Sequence, residues 1–151
     1  MCVETVVTTA QDMEALGARL AEGSGVVQLV YLRGALGTGK TTLVRGLLHA
    51  LGHMGVVRSP TFTLVEGYVV NGRQIYHLDL YRVMHPGELE FIGLRDYVKN
   101  NNLVLVEWAE RGAAVLPLPD LDVEIRKSGD GRIVKLISHT KRGAKLLSDL
   151  A

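Results

Sequence analysis

Apolar residues along this chain alternate between short continuous runs and stretches of helical spacing. Val3–Thr8 reads as a short strand. Thr9 stands where a helix cap belongs, ahead of Gln11–Glu22, in which Met13, Leu16, Ala18 and Leu20 recur on one side. Glycines 23 and 25 close that helix, and Val26–Leu32 follows as an apolar run of the buried-strand type. Lys40–Leu51 places Leu43, Val44, Leu47, Leu48 and Leu51 on one helical face with Arg45 and His49 turned away, and Gly52 is the stop.

Asn71-Gly72 favours a two-residue hairpin turn, because both residues accept positive φ. It joins a strand over Thr61–Val70 to one over Arg73–Tyr81, with Val70 opposite Arg73, Tyr68 opposite Ile75, Glu66 opposite His77 and Leu64 opposite Asp79. One face then carries Thr63, Val65, Val69, Tyr76, Leu78 and Leu80; the other carries His77, Asp79 and Tyr81 in a row. Pro86–Tyr97 reads as a helix with Pro86 early and Leu89, Ile92 and Leu94 inward. Leu103–Val106 is a second buried strand, ending at Glu107-Trp108. Leu121–Arg126 and Arg132–Ser138 flank Gly129–Gly131 as another hairpin. The order predicts one α/β domain over residues 1–151, with a mainly parallel central sheet, helices on both faces and an inserted β-hairpin.

Composition narrows the classes. At 151 residues and 47% hydrophobic, the chain supports one core, and a net charge of +1 does not suggest a general nucleic-acid binder. Arg126, Lys127, Arg132, Lys135, Lys141, Arg142 and Lys145 nonetheless face only Asp130 within one stretch, either a solvated basic face or a docking patch for RNA or an acidic partner. The one cysteine, Cys2, allows no internal disulfide and no cysteine-based zinc cluster. No run is long and apolar enough to span a membrane, and no secretory signal pattern opens the chain, so the expected location is cytoplasmic.

Between the second predicted strand and its helix stands Gly34-Ala35-Leu36-Gly37-Thr38-Gly39-Lys40-Thr41, which fits G-x-x-x-x-G-K-[ST] at every fixed position. Phosphates need several backbone N–H groups aimed inward, and a glycine-rich turn presents them without side-chain clashes. The helix that follows offers its N-terminus to the negative charge. Lys40 is placed to reach the β- and γ-phosphates, the Thr41 hydroxyl to ligate Mg²⁺, and Thr42 to offer a further hydrogen bond. The expected cofactors are ATP and Mg²⁺ in a P-loop NTPase domain.

Such sites add an acidic residue at the end of a neighbouring strand to hold the metal. Glu107 is the candidate, with Asp79 as a rival for that role or as the group that positions water or acts as base. Ser59-Pro60-Thr61-Phe62 looks like a nucleotide-sensing loop or a plain turn, and Arg58, Arg82 and Arg111 are each able to bring charge to phosphate.

The loop glycines with Lys40-Thr41-Thr42, Ser59-Pro60-Thr61-Phe62-Thr63-Leu64-Val65-Glu66, His77-x-Asp79-Leu80-Tyr81-Arg82 and Leu105-Val106-Glu107-Trp108 together resemble the TsaE (YjeE) family. These are bacterial ATPases needed to form threonylcarbamoyladenosine in tRNA. The resemblance covers about the first three quarters of the chain and departs from the family's usual Asp at Ala35. It implies a small cytoplasmic ATPase that works with TsaD and TsaB without being the transferase itself; an indirect or weak contact with tRNA stays open. It further implies phosphate binding by Gly37–Thr42, Mg²⁺ held by Thr41 and Glu107, a switch-like loop at Ser59–Phe62, and importance for Asp79 and Trp108. Two other classes stay open: a small-molecule P-loop kinase, and a nucleotide-gated binding module with negligible hydrolysis. A guanine-nucleotide switch is disfavoured because the chain has no Asn-Lys-x-Asp motif.

Overall fold

A computed structural model describes residues 1–91, 93–99 and 101–150. The first strand, β1 (Cys2–Val7), runs into helix α1 (Ala10–Gly23), whose N-cap Thr9 accepts the Asp12 amide at 3.1 Å. Strand β2 (Leu29–Arg33) leads through the glycine loop into α2 (Lys40–Leu51), which ends at Gly52 in the left-handed conformation. The hairpin β3 (Val65–Val70) and β4 (Arg73–Asp79) turns at Asn71 and Gly72, both with positive φ. Two short helices, α3 (Pro86–Phe91) and α4 (Leu94–Tyr97), precede β5 (Leu103–Glu107). A 3-10 turn at Ala109–Gly112, the hairpin β6 (Leu121–Ser128) and β7 (Gly131–Ser138), and helix α5 (Lys141–Leu150) complete the order.

All seven strands form one sheet in the order β1-β7-β6-β2-β5-β4-β3. Its centre is parallel, with β2 between β6 and β5, and β4 beside β5; β1, β7 and β3 add antiparallel margins. One face packs Met13, Leu16 and Leu20 of α1, Leu43, Val44 and Leu47 of α2, and Leu146 and Leu147 of α5 against β2, β5 and β6. The other packs Leu89 and Leu94 with Leu78, Val104 and Val106. The expected α/β domain, with helices on both faces, is the fold observed.

Helices α1 and α2 cross at two glycines. A Cβ on Gly17 would collide with the Leu43 carbonyl, and one on Gly46 with the backbone of Glu14. That close approach explains why Ala18 is only half-buried while Gly17 and Ala21 are covered.

Several expectations change. The first hairpin strand begins at Val65, not Thr61, because Pro60–Leu64 closes as a turn: the Leu64 amide donates to the Pro60 carbonyl at 2.9 Å and Leu64 has φ of 70°. The predicted Val70–Arg73, Tyr68–Ile75 and Glu66–His77 pairs form; opposite Leu64 the ladder ends in one bond, from the Asp79 amide to the Leu64 carbonyl. The β2 strand starts at Leu29 instead of Val26. The single helix over Pro86–Tyr97 is broken at Gly93, whose φ of 74° interrupts it; Ile92, expected inward, lies outside the described residues.

The row His77, Asp79, Tyr81 is not a solvated face. Strand β4 lies between β3 and β5, so His77 and Asp79 are buried, whereas Tyr81 lies past the strand end and Val69 is exposed on the edge strand. The basic stretch is not one patch either. Arg132 is the second residue of β7 and Lys141 lies past its last, Ser138, so the strand between them spans roughly 20 Å at about 3.3 Å per residue.

Candidate functional site

The glycine loop emerges from the carboxyl end of β2, flanked by the carboxyl ends of β5 and β4, where open α/β sheets bind ligands. Gly37 and Gly39 have φ of 78° and 111°, conformations that a side chain would strain, and a Cβ on Gly37 would point into open space. Thr38 is buried, and its hydroxyl donates to the Ala35 carbonyl at 2.8 Å, so it buckles the loop instead of facing the opening. Gly34 lies beneath, where a Cβ would meet the Ile125 carbonyl at 2.7 Å.

Above the loop opens a cleft of about 600 Å³. It gathers residues far apart in sequence: Leu36, Lys40–Thr42, Ser59 and Thr61, Asp79, Glu107 and Trp108. Of the expected site residues, Thr38 and Gly34 stay within the loop's own framework, Pro60 is buried in its turn, and Phe62 stands 79% exposed beneath the Arg82 guanidinium, 4.5 Å away.

At the foot of the cleft Lys40, 7% exposed, donates to the Gly34 carbonyl at 2.7 Å and lies 3.3 Å from Glu107 Oε1. The other Glu107 oxygen, Oε2, is 2.7 Å from His77 Nε2. Burial pushes the Glu107 carboxyl up, but the His77 bond and the Lys40 ammonium outweigh it and hold the group below its ordinary range. Glu107 therefore remains an anion at neutral pH, a hard oxygen donor suited to a divalent cation, in the cleft that Thr41 also lines. The loop's open backbone cradle suits phosphate. These residues fit ATP with Mg²⁺.

Asp79 pairs with Glu107 across β4 and β5. Its Oδ1 accepts the Tyr81 amide at 2.9 Å, and its Oδ2 accepts the Thr61 hydroxyl at 3.3 Å, which in turn lies 2.8 Å from Ser59 Oγ. The Ser59–Phe62 loop is thus tied directly to a cleft carboxylate. Trp108, in the left-handed region at φ of 57°, holds its ring 5.6 Å from the Lys40 ammonium and 4.8 Å from Tyr81, over which Arg111 lies at 5.4 Å.

Sequence reasoning missed two parts. His77 was placed on a polar face, although it is fully buried against Glu107. Arg132 was counted only within the basic stretch, yet its guanidinium donates to the Thr38 carbonyl at 3.1 Å and the Gly37 carbonyl at 3.4 Å. Together with Thr8, Thr9, Met13 and Asp130 it walls a groove of about 210 Å³ on the outer side of the loop. An alternating strand pattern hides the first, and nothing local marks the second.

A family profile described as "Threonylcarbamoyl adenosine biosynthesis protein TsaE" matches residues 7–134. The chain is 50% identical over 120 residues to a tRNA threonylcarbamoyladenosine biosynthesis protein TsaE from Haemophilus influenzae, covering 80% of this chain and 76% of that protein. It is 39% identical over 124 residues to the protein of the same description from Treponema pallidum, covering 82% and 87%. Among solved structures it superposes on Bacillus subtilis YdiB with a TM-score of 0.85 and 26% identity, over 99% of this chain and 94% of that one.

Proposed function

The chain belongs to the TsaE family of threonylcarbamoyl adenosine biosynthesis proteins, and from that premise we propose that it is a Mg²⁺-dependent ATPase acting with TsaD and TsaB in tRNA modification. The observation that carries the ATPase reading is the Lys40–Glu107 pair at the foot of the glycine-loop cleft, with Asp79 on the adjacent strand. Lys40 would leave Glu107 to meet the β- and γ-phosphates, where its charge offsets what develops on the transferred group. The Thr41 hydroxyl and Glu107 would hold Mg²⁺, which supplies further neutralisation of phosphate charge. Asp79, deprived of the Thr61 bond, would orient the attacking water. Tyr81 and Trp108 would shield it from bulk solvent. The ribose and base would extend past the loop into the groove walled by Thr9 and Arg132.

The cleft is open on one side in the isolated chain, and its aromatic wall of Tyr81 and Trp108 is a surface a partner would cover. Hydrolysis by the chain alone is therefore expected to be slow and to rise when TsaD and TsaB are added. No helix among the described residues is long and apolar enough to cross a membrane, which agrees with work on tRNA in the cytoplasm. The test joins two measurements: steady-state ATPase with and without purified TsaD–TsaB, and nucleoside analysis of tRNA from cells depleted of this protein. Loss of threonylcarbamoyladenosine with partner-stimulated hydrolysis supports the reading. A fast basal rate indifferent to both partners, or phosphoryl transfer to a nucleoside or sugar, would replace it with a kinase.

A further inference from the structure

Strands β4 and β5 run parallel with His77 opposite Leu105 and Asp79 opposite Glu107. Side chains two positions apart share a face, so His77 and Glu107 lie diagonally on the side of the sheet that carries the glycine loop. His77 is fully buried in the layer of Ile75 and Leu105. Among the described residues its Nδ1 has no hydrogen-bond partner. Packing alone would be better served by an apolar side chain, since an imidazole brings two polar nitrogens into a dry layer and one is left unsatisfied. Its Nε2 lies 2.7 Å from Glu107, and because an ionised carboxylate only accepts, the ring proton is assigned to Nε2.

We propose that His77 is a positioning residue for the metal-holding carboxylate: its Nε2–H grips Glu107 Oε2, so that Oε1 faces the glycine loop and the cation. This rests on the reading of Glu107 as a Mg²⁺ ligand. The terminal torsion of a glutamate is soft, with a broad two-fold preference. Lys40, the other partner of Glu107, must leave when phosphate arrives, and the carboxylate would then swing freely. His77 sits behind Glu107, away from the cleft lining, so the arrival of phosphate need not displace its bond. Outer partners of this kind orient a ligand without touching the metal, and their loss typically weakens metal affinity by about 10- to 100-fold.

The test titrates a mant-labelled, non-hydrolysable ATP analogue onto the full chain in Mg²⁺ and in EDTA, with thermal melts of each variant. The ratio of the two affinities measures coupling to the metal. His77→Phe keeps a planar ring, slightly larger than imidazole, and removes the donor. It is expected to lower the ratio by about 10-fold while EDTA affinity stays within about twofold. His77→Gln, whose amide nitrogen reaches the carboxylate, should recover part of the ratio; His77→Asn, which stops short, should not. A wild-type ratio in His77→Phe, or equal losses in Mg²⁺ and EDTA for Phe and Gln alike, overturns the proposal. Should the Phe variant not fold, equal ratios in the Gln and Asn variants overturn it as well. Glu107→Gln separates the two levels. If wild type gains nothing from Mg²⁺, the metal reading of Glu107 fails and this proposal with it. A gain lost in Glu107→Gln but intact in His77→Phe sinks the positioning role alone.

Discussion

Replacing Gly46 by alanine is predicted to destabilise the domain, against the trend of helix propensity. In a solvent-exposed helix interior the change would be favourable by about 1 kcal/mol. Here the added Cβ would meet the Glu14 carbonyl oxygen, with the Glu14 Cα at 2.6 Å and its carbonyl carbon at 2.7 Å. These are backbone atoms of α1, so no side chain can swing aside and the helices must separate. Overpacking costs about 1–3 kcal/mol, and a backbone obstacle places this site at the upper end. Subtracting the propensity gain leaves a net loss of about 2 kcal/mol, or roughly 4–8 °C in melting temperature for a domain of this size. Circular dichroism melts and urea titrations of the apo chain measure it, with an unchanged m-value showing that the denatured state is not the cause. Because α2 opens with Lys40 and Thr41, nucleotide affinity should fall in parallel. A melting temperature equal to or above wild type would refute the close crossing of α1 and α2.

Lys40→Ala should lower ATPase activity by about 100-fold or more through lost phosphate stabilisation, measured by phosphate release. It should also cost roughly 1–3 kcal/mol of stability, less than a sealed buried pair, because the cleft lets water reach the stranded Glu107. The Glu107 carboxyl is held below its ordinary value of 4.5, so its contribution to stability is present above that pH and is lost as pH falls through the folded-state value. The stability difference between wild type and Glu107→Gln should accordingly shrink on acidification from about pH 6 to pH 3, and a difference that grows would contradict the sign. Amide exchange in Ser59–Phe62 should differ between ADP and a non-hydrolysable ATP analogue, since the Thr61 hydroxyl ties this loop to Asp79 in the cleft; identical exchange would make the segment an ordinary turn.

Local chemistry made much of the fold legible. The Asn71-Gly72 turn set the hairpin register because two positive-φ residues admit few alternatives. Lys40–Leu51 was bounded correctly because a glycine stands at each end. What misled was tertiary. Alternation of polar and apolar residues signals a half-buried strand, but β4 is an interior strand with both faces covered, so its polar residues marked the site instead of the surface. Gly17 and Gly46 carry no helical signal by themselves; their value appears only when two helices meet.

The phosphate loop shows the same division within a single motif. Its glycines, Lys40 and Thr41 are contiguous and were readable. What holds its outer side comes from the β6–β7 hairpin, 94 residues beyond Thr38. A trans peptide unit points its carbonyl and the following amide in opposite directions. When the Arg132 guanidinium draws the Thr38 carbonyl outward at 3.1 Å, the Gly39 N–H is turned to the opposite side of the loop. The loop's donors are thus oriented partly by an arginine whose neighbours in sequence suggested a docking patch. Its charge is directed at backbone oxygens, leaving the other basic residues of the stretch on β6, β7 and α5 without it.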